Sequence, residues 1–299
     1  MTGRARQQTT GVIAPWVMAW IAVAFAGGAV HATPPQRIVS LNLCTDQILV
    51  DLVPRGRIAA VTHLGADPSV SAAADKLVGL PVTRGAAEDV LARDPDLIIA
   101  GAYTTPATVD LLRRLGRNVV VVPLPQSVAG VRSVIEEIAA AVDEFEAGAR
   151  LVADLDTRIA RVQAKIASQT PGTAPPTALL YQINNFVAGT GTLADEAMTL
   201  AGFRNQGGAL ATSANGQTNL EQIVAAPPDL MVLATRPDAY ASAVGDNLRH
   251  PALARVMQRV PTLVLAWPLW LCGTQHIATA IEQLADAHAR FGLRPRGER

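Results

Sequence analysis

Short apolar runs and amphipathic stretches alternate along most of the chain. Arg37-Ile38-Val39-Ser40-Leu41 reads as a buried strand, and residues 45–52 read as the helix after it, ended by Pro54-Arg55-Gly56. Residues 58–61, 97–100 and 119–122 are further apolar runs of strand length, with helical segments between the later ones. Such alternation predicts a parallel sheet with helices on both faces. The middle breaks the rhythm. Residues 128–168 are almost wholly helix-forming and contain no proline. Within them Phe145, Ala149, Val152, Leu155, Ile159, Val162 and Ile166 recur at spacings of three and four, which predicts one apolar helix face. A helix of that length at the chain midpoint reads as a spacer between two lobes. Thr170-Pro171-Gly172 and Pro175-Pro176 end it. A second α/β half follows, with strands predicted at 178–181, 186–188, 230–234 and 262–266.

The two halves carry one segment in common. Glu88, the apolar pair Val90-Leu91, Ala92 and Pro95-Asp96-Leu97 fall in the same register as Glu221, Ile223-Val224, Ala225 and Pro228-Asp229-Leu230. Physically this is a short helix, a proline stop and a strand. The joint match predicts two structurally related lobes.

Composition narrows the function classes. Apolar residues make up 49% of the 299 positions, enough for a sizeable core. The formal charge is zero, and without a basic excess a nucleic-acid partner is disfavoured. Arg4 and Arg6 precede an apolar stretch over 16–30, and Val30-His31-Ala32 offers small residues to a signal peptidase. Residues 1–32 therefore read as an export leader cleaved after Ala32, and no cysteine lies near that point to carry a lipid. The mature chain is expected to be soluble, because no later apolar run is long enough to span a bilayer. Cys44 and Cys272 are too few for a disulfide scaffold. They fit one disulfide, two free thiols or soft metal ligands, and the sequence leaves all three open.

Taken in order along the chain, these motifs resemble the iron-chelate and cobalamin family of periplasmic binding proteins. The resemblance rests on Arg37-Ile38-Val39-Ser40-Leu41-Asn42 followed by Asp46-Gln47-Ile48-Leu49, and on the Glu88 helix with its Pro-Asp-Leu strand. It continues through the long helix over about 144–168, Gly189-Thr190-Gly191-Thr192-Leu193-Ala194-Asp195-Glu196, Ala201-Gly202-Phe203-Arg204-Asn205 and the Glu221 segment. It implies an α/β fold of two Rossmann-like lobes, 33–143 and 169–299, joined by one bridging helix over 144–168, with the ligand in the cleft between them. It also implies a monomeric, non-enzymatic carrier without a cofactor that delivers an iron chelate (a siderophore or haem-like compound) to the membrane permease of an ABC importer. A corrinoid is the alternative ligand. Glu88 and Glu221 would meet the permease, one on the rim of each lobe.

Loops after the predicted strands carry the candidate ligand contacts: Asn42, Cys44, His63, Arg84, Tyr103, Tyr181, Asn184, Arg236, Trp267, Trp270 and Cys272. Trp267 and Trp270 flank one loop in a chain with only 4% aromatic residues, and stacking on a planar ligand would use them. Arg84 and Arg236 suit a carboxylate or catecholate clamp. Cobalamin-binding members of the family tend to place a tryptophan where this chain has Gly101, and another where it has Asn215, which favours an iron chelate. The histidines His63, His250, His276 and His288 are scattered, so no bare-metal site is expected. An enzyme reading has little to stand on. No nucleophile elbow, phosphate loop or His-Glu-x-x-His motif is present. Cys44 at a helix start is its one nucleophile candidate.

Overall fold

The computed structural model describes residue 2 and residues 33–169, 174–211, 215–234 and 247–292. The leader reading and Arg236 lie outside the described residues, as does the side chain of Asn215. The first sheet is parallel throughout. Its strands are β1 (Ile38–Ser40), β2 (Ile58–Thr62), β3 (Val82–Thr83), β4 (Leu97–Gly101) and β5 (Val119–Val122), in the order β3-β2-β1-β4-β5. The helices α1 (Leu43–Leu52), α2 (Ala74–Leu77), α3 (Ala87–Leu91) and α4 (Pro106–Arg114) cross between these strands. The middle holds two helices, α5 (Val128–Ala141) and the bridging α6 (Phe145–Gln169). Asp143, at a φ of 59°, makes the reversal between them.

The second sheet is mixed, which departs from the parallel sheet expected of two related lobes, because a tight hairpin reverses the chain after its first strand. Strands β6 (Thr177–Tyr181), β10 (Leu230–Leu233) and β11 (Thr262–Val264) are parallel, while β7 (Phe186–Ala188) runs antiparallel to β6 and to β9 (Asn215–Gln217). Short β8 (Arg204–Asn205) pairs with the start of β6. Helices α7 (Leu193–Leu200), α8 (Gly207–Leu210), α9 (Leu220–Ala225), α10 (Pro251–Met257), α11 (Pro268–Leu271) and α12 (Ile277–Arg290) complete this half.

The internal repeat is a repeated hydrogen-bond device. Asp96 at the entry to β4 accepts from the backbone N–H of Gln36 (2.6 Å) and Arg37 (2.9 Å) at the entry to β1. Asp229 at the entry to β10 accepts from the backbone N–H (2.8 Å) and hydroxyl (2.9 Å) of Thr177 at the entry to β6. Each Pro-Asp-Leu thus uses a carboxylate to fix the register of its strand against the first strand of its own sheet.

One core runs through both halves. Ile38, Ile99 and Leu49 join Ile135 and Ile138 of α5, then Leu155 and Ile159 of α6, then Leu180, Val232 and Leu284 in a single apolar cluster. Separate clusters cover the outer face of each sheet, around Val39 and Ile98 in one and Leu179 and Met231 in the other. Across this seam Arg158 of α6 grips Glu282 of α12 through two hydrogen bonds of 2.9 and 2.6 Å. The apolar face expected on α6 needs correcting at its start. Leu155, Ile159 and Val162 are buried, but Phe145 is 63% exposed and Ala149 is also exposed. The first turns instead meet α5 through Gly148, where a Cβ would stand 2.5 Å from that of Ala139.

Candidate functional site

In the first sheet the chain leaves β1 for β2 on one side and β4 for β5 on the other, so the carboxyl ends of adjacent β1 and β4 diverge into a crevice. Open α/β sheets bind ligands at such a switch point. Asn42 follows β1 and caps α1, its Oδ1 accepting from the Cys44 N–H at 2.9 Å. Gly101-Ala102-Tyr103 leave β4, and the Thr104 hydroxyl ties this turn to the Gly101 N–H (3.0 Å) and the Leu41 carbonyl (3.3 Å). A small cavity here is lined by Asn42, Cys44, Gly101, Tyr103, Pro125 and Gly273, among others. It shares Leu124, Pro125 and Gly273 with a larger cavity of about 270 Å³. That one is walled by residues of the second half, including Gln182, Thr192, Trp267 and Trp270. Together they form a cleft between the two sheets. Among its described lining residues there is no Lys, Arg, His, Asp or Glu.

The structure sorts the sequence-derived candidates. Asn42, Cys44, Tyr103, Trp267 and Trp270 line the two cavities. Tyr103 is 81% exposed, whereas both indoles are partly packed against the core. Cys44 and Cys272 are joined in a disulfide with their Cα atoms 5.2 Å apart. The Cys44 sulfur is therefore neither a free nucleophile nor a free metal ligand.

Four candidates stand elsewhere. His63 and Arg84 are exposed beyond β2 and β3 and line neither cavity. With strands spaced by about 4.8 Å, β3 at the sheet edge lies roughly 10 Å from β1. Tyr181 is wholly buried in the outer-face cluster, and its hydroxyl donates to Asn185 Oδ1. Asn184 and Asn185 both have a φ of 58° and make the tight reversal between β6 and β7. Asparagine tolerates this left-handed backbone, so turn geometry accounts for the pair.

Sequence reasoning missed Gln126, Gln182 and Thr192, neutral polar groups on the wall of the larger cavity. Gln182 directly follows β6, and a stricter reading of strand ends would have found it. The glycine-rich and Ala-Gly-x-x-Asn motifs turn out to lock onto each other. Asp195 accepts from the Gly191 N–H (2.9 Å) and from Asn205 Nδ2 (3.0 Å), and Asn205 Oδ1 in turn accepts from the Gly207 N–H (2.9 Å). Glu196 reaches across the cleft base, its Oε2 accepting from the Val128 N–H at the start of α5 (2.7 Å). A carboxylate suits that helix end.

Gly101 has a structural reason. A Cβ there would lie 2.7 Å from Cγ of Asn42, so the carboxamide covers the spot that a larger side chain would need. Among the described residues no cluster of three or more His, Cys, Asp or Glu side chains is placed to hold a metal ion, and no helix is long and apolar enough to cross a membrane.

Comparison with known proteins places this geometry. A family model described as "Periplasmic binding protein" matches residues 38–263. Two curated cobalamin-binding proteins, from two strains of Halobacterium salinarum, are 29% identical over 216 residues, which is 70% of this chain and 58% of theirs. This chain therefore matches little more than half the length of those relatives. A periplasmic haem-binding protein of Pseudomonas aeruginosa has the same fold, with a TM-score of 0.68, 23% identity and coverage of 85% of this chain and 92% of that one. So has the periplasmic vitamin B12 binding protein of Vibrio cholerae, at 0.63 with 19% identity and coverage of 86% and 98%. An Fe3+-hydroxamate transport protein of Saccharomonospora viridis follows at 0.63 with 22% identity and coverage of 87% and 94%.

Proposed function

We propose that this chain, which belongs to the periplasmic binding protein family, is exported with loss of residues 1–32 and captures a planar iron chelate of the haem type for delivery to an ABC importer. The observation that carries this reading is a cleft whose described lining holds no charged side chain, with the accessible phenol of Tyr103 on one wall and the Trp267 and Trp270 indoles on the other. Flat apolar rings gain from aromatic stacking and from leaving water. A phenolate is a hard anionic oxygen that ligates ferric haem iron. An anionic siderophore would call for cationic donors, and the described lining has none.

The test uses protein recovered from the periplasm, with its N-terminus at Thr33 by mass. Haemin should bind, shift its Soret band and quench tryptophan fluorescence. Tyr103→Phe should remove the phenolate signature and weaken binding about tenfold or more, equivalent to ~1.4 kcal/mol. Haemin binding with no spectral change in Tyr103→Phe would sink the ligation role. A corrinoid is the second reading, favoured by the curated relatives that bind cobalamin. Cyanocobalamin binding where haemin fails would put it first. Glu88 and Glu221, both exposed at the starts of α3 and α9, are read as the contacts with the permease, one on each lobe.

A further inference from the structure

Cys44 and Cys272 are 228 positions apart and belong to different halves of the molecule. Cys44 stands in the first turn of α1 and lines the smaller cavity. Cys272 ends α11, the short helix that carries Trp270 and starts at Trp267. The disulfide therefore pins the tryptophan-bearing wall of the cleft to the opposite lobe.

Neighbouring contacts follow the same seam. A Cβ on Gly273 would stand 2.8 Å from Pro125, so the loop is wedged against the segment after β5. Gln275 Nε2 donates to the Gln47 carbonyl (3.0 Å) and to Asp51 Oδ2 (2.8 Å), both on α1. Yet the pinned segment is poorly satisfied by its own packing. Trp270 Nε1 and Gln275 Oε1 are buried without a hydrogen-bond partner among the described residues. Buried polar atoms left unpaired disfavour the arrangement that buries them. The disulfide adds a covalent tie to the wedge at Gly273 and the Gln275 hydrogen bonds.

We propose that Cys44–Cys272 is a thiol-modifiable clamp on the ligand cleft. Closed, it holds the Trp267/Trp270 loop against α1. Opened by a dithiol, it frees that loop and shortens ligand residence. Cys272 is fully buried, so the attacking thiolate meets the Cys44 sulfur. A mixed disulfide forms there as the S–S bond breaks, and Cys272 leaves as a thiolate that takes up a proton. The second thiol of the dithiol then attacks its own sulfur in the mixed disulfide. Cys44 is released as a thiolate, and the reagent departs as a cyclic disulfide, oxidised by the two electrons that the protein gains. The start of α1 favours the thiolate on Cys44.

The residence part of this inference rests on the haem-type reading; the mechanical part does not. Hydrogen exchange by mass spectrometry on the oxidised protein, the dithiothreitol-reduced protein and the Cys44→Ser/Cys272→Ser variant separates them. Opening the clamp should speed exchange about tenfold or more over residues 265–276 and 41–45, while β1, β4, β6 and β10 stay protected. Unchanged exchange in the loop would overturn the clamp. Uniform acceleration that includes the strands would overturn it too, by making the disulfide a global stabiliser. Haemin should leave the reduced protein about tenfold faster than the oxidised one, and equal rates would overturn the residence effect. If the oxidised protein does not bind haemin at all, the functional reading fails, and the exchange data still decide the clamp.

Discussion

Asp46 illustrates how much a single buried carboxyl can carry. It sits in the first turn of α1 with no exposed surface, and its Oδ2 accepts from the Thr62 backbone N–H at 3.0 Å and from the Thr62 hydroxyl. Burial is the main cause of its shift and pushes the carboxyl from 3.8 up to about 7, against the lowering effect of hydrogen bonds from Ser40 and Thr62. Because the folded value lies above the unfolded one, the neutral acid stabilises the fold fully below about pH 4, and that contribution is lost as pH rises through about 7. Each unit of difference corresponds to about 1.4 kcal/mol, so the loss amounts to a few kcal/mol at most. The melting temperature should fall between pH 5 and pH 8, and Asp46→Asn, which stays neutral, should flatten that fall. Thermal melts of both proteins across the range check this, and parallel pH profiles would exclude Asp46 as the source. The sequence marked Asp46 only as part of a motif. Its titration depends on what Thr62 and Gly65, sixteen and nineteen positions away, pack around it.

At the scale of elements, α7 ends as its sequence directs. Gly202 follows the last turn at a φ of 86°, its N–H donates to the Thr199 carbonyl, and the Phe203 N–H reaches back to the Met198 carbonyl. This is the pattern of helix termination that favours glycine. A second constraint comes from another element, since a Cβ on Gly202 would lie 2.7 Å from Cγ2 of Ile166 on α6. Gly85 has a similar φ of 83° with nothing within 4 Å of a would-be Cβ. Gly85→Ala should therefore cost only the backbone strain, about 1–2 kcal/mol. Gly202→Ala should cost measurably more, because it also forces α7 away from α6. Denaturant unfolding of the two variants gives the comparison, and equal costs would mean that the seam yields freely. Much of this scale was legible in advance, because helix and strand periods are local properties. The exposed start of α6 was not, because a period identifies a face without saying where along it a partner helix begins.

For the molecule as a whole, the continuous core through α5, α6 and α12 and the Arg158–Glu282 pair across it argue for lobes that move little against each other. On the proposed reading, the importer would be met through the rims of the two lobes. Glu88 and Glu221 lie in the same register of the internal repeat, and both are exposed. Surface carboxylates of this sort add little affinity by themselves but steer and orient a partner. The variant with Glu88→Arg and Glu221→Arg should keep its fold and its haemin affinity while transport in cells falls about tenfold or more, through like-charge repulsion against a cationic partner. Transport at the unmodified rate would refute the docking role.

The sequence by itself determined the alternating elements, the long central helix, the paired Pro-Asp-Leu entries and the loops at which Asn42, Tyr103, Trp267 and Trp270 stand. Those features follow from side-chain period, proline and glycine chemistry, and the rule that strand ends carry sites. Only the tertiary structure decided that Cys44 and Cys272 pair and that Tyr181 turns into the core. It also showed that Asn184 and Asn185 serve a turn, and that His63 and Arg84, one and two strands from β1, line neither cavity. Strand order and the facing of one lobe on another are long-range facts. They are fixed by how buried surfaces fit together, and no local pattern in the chain encodes them.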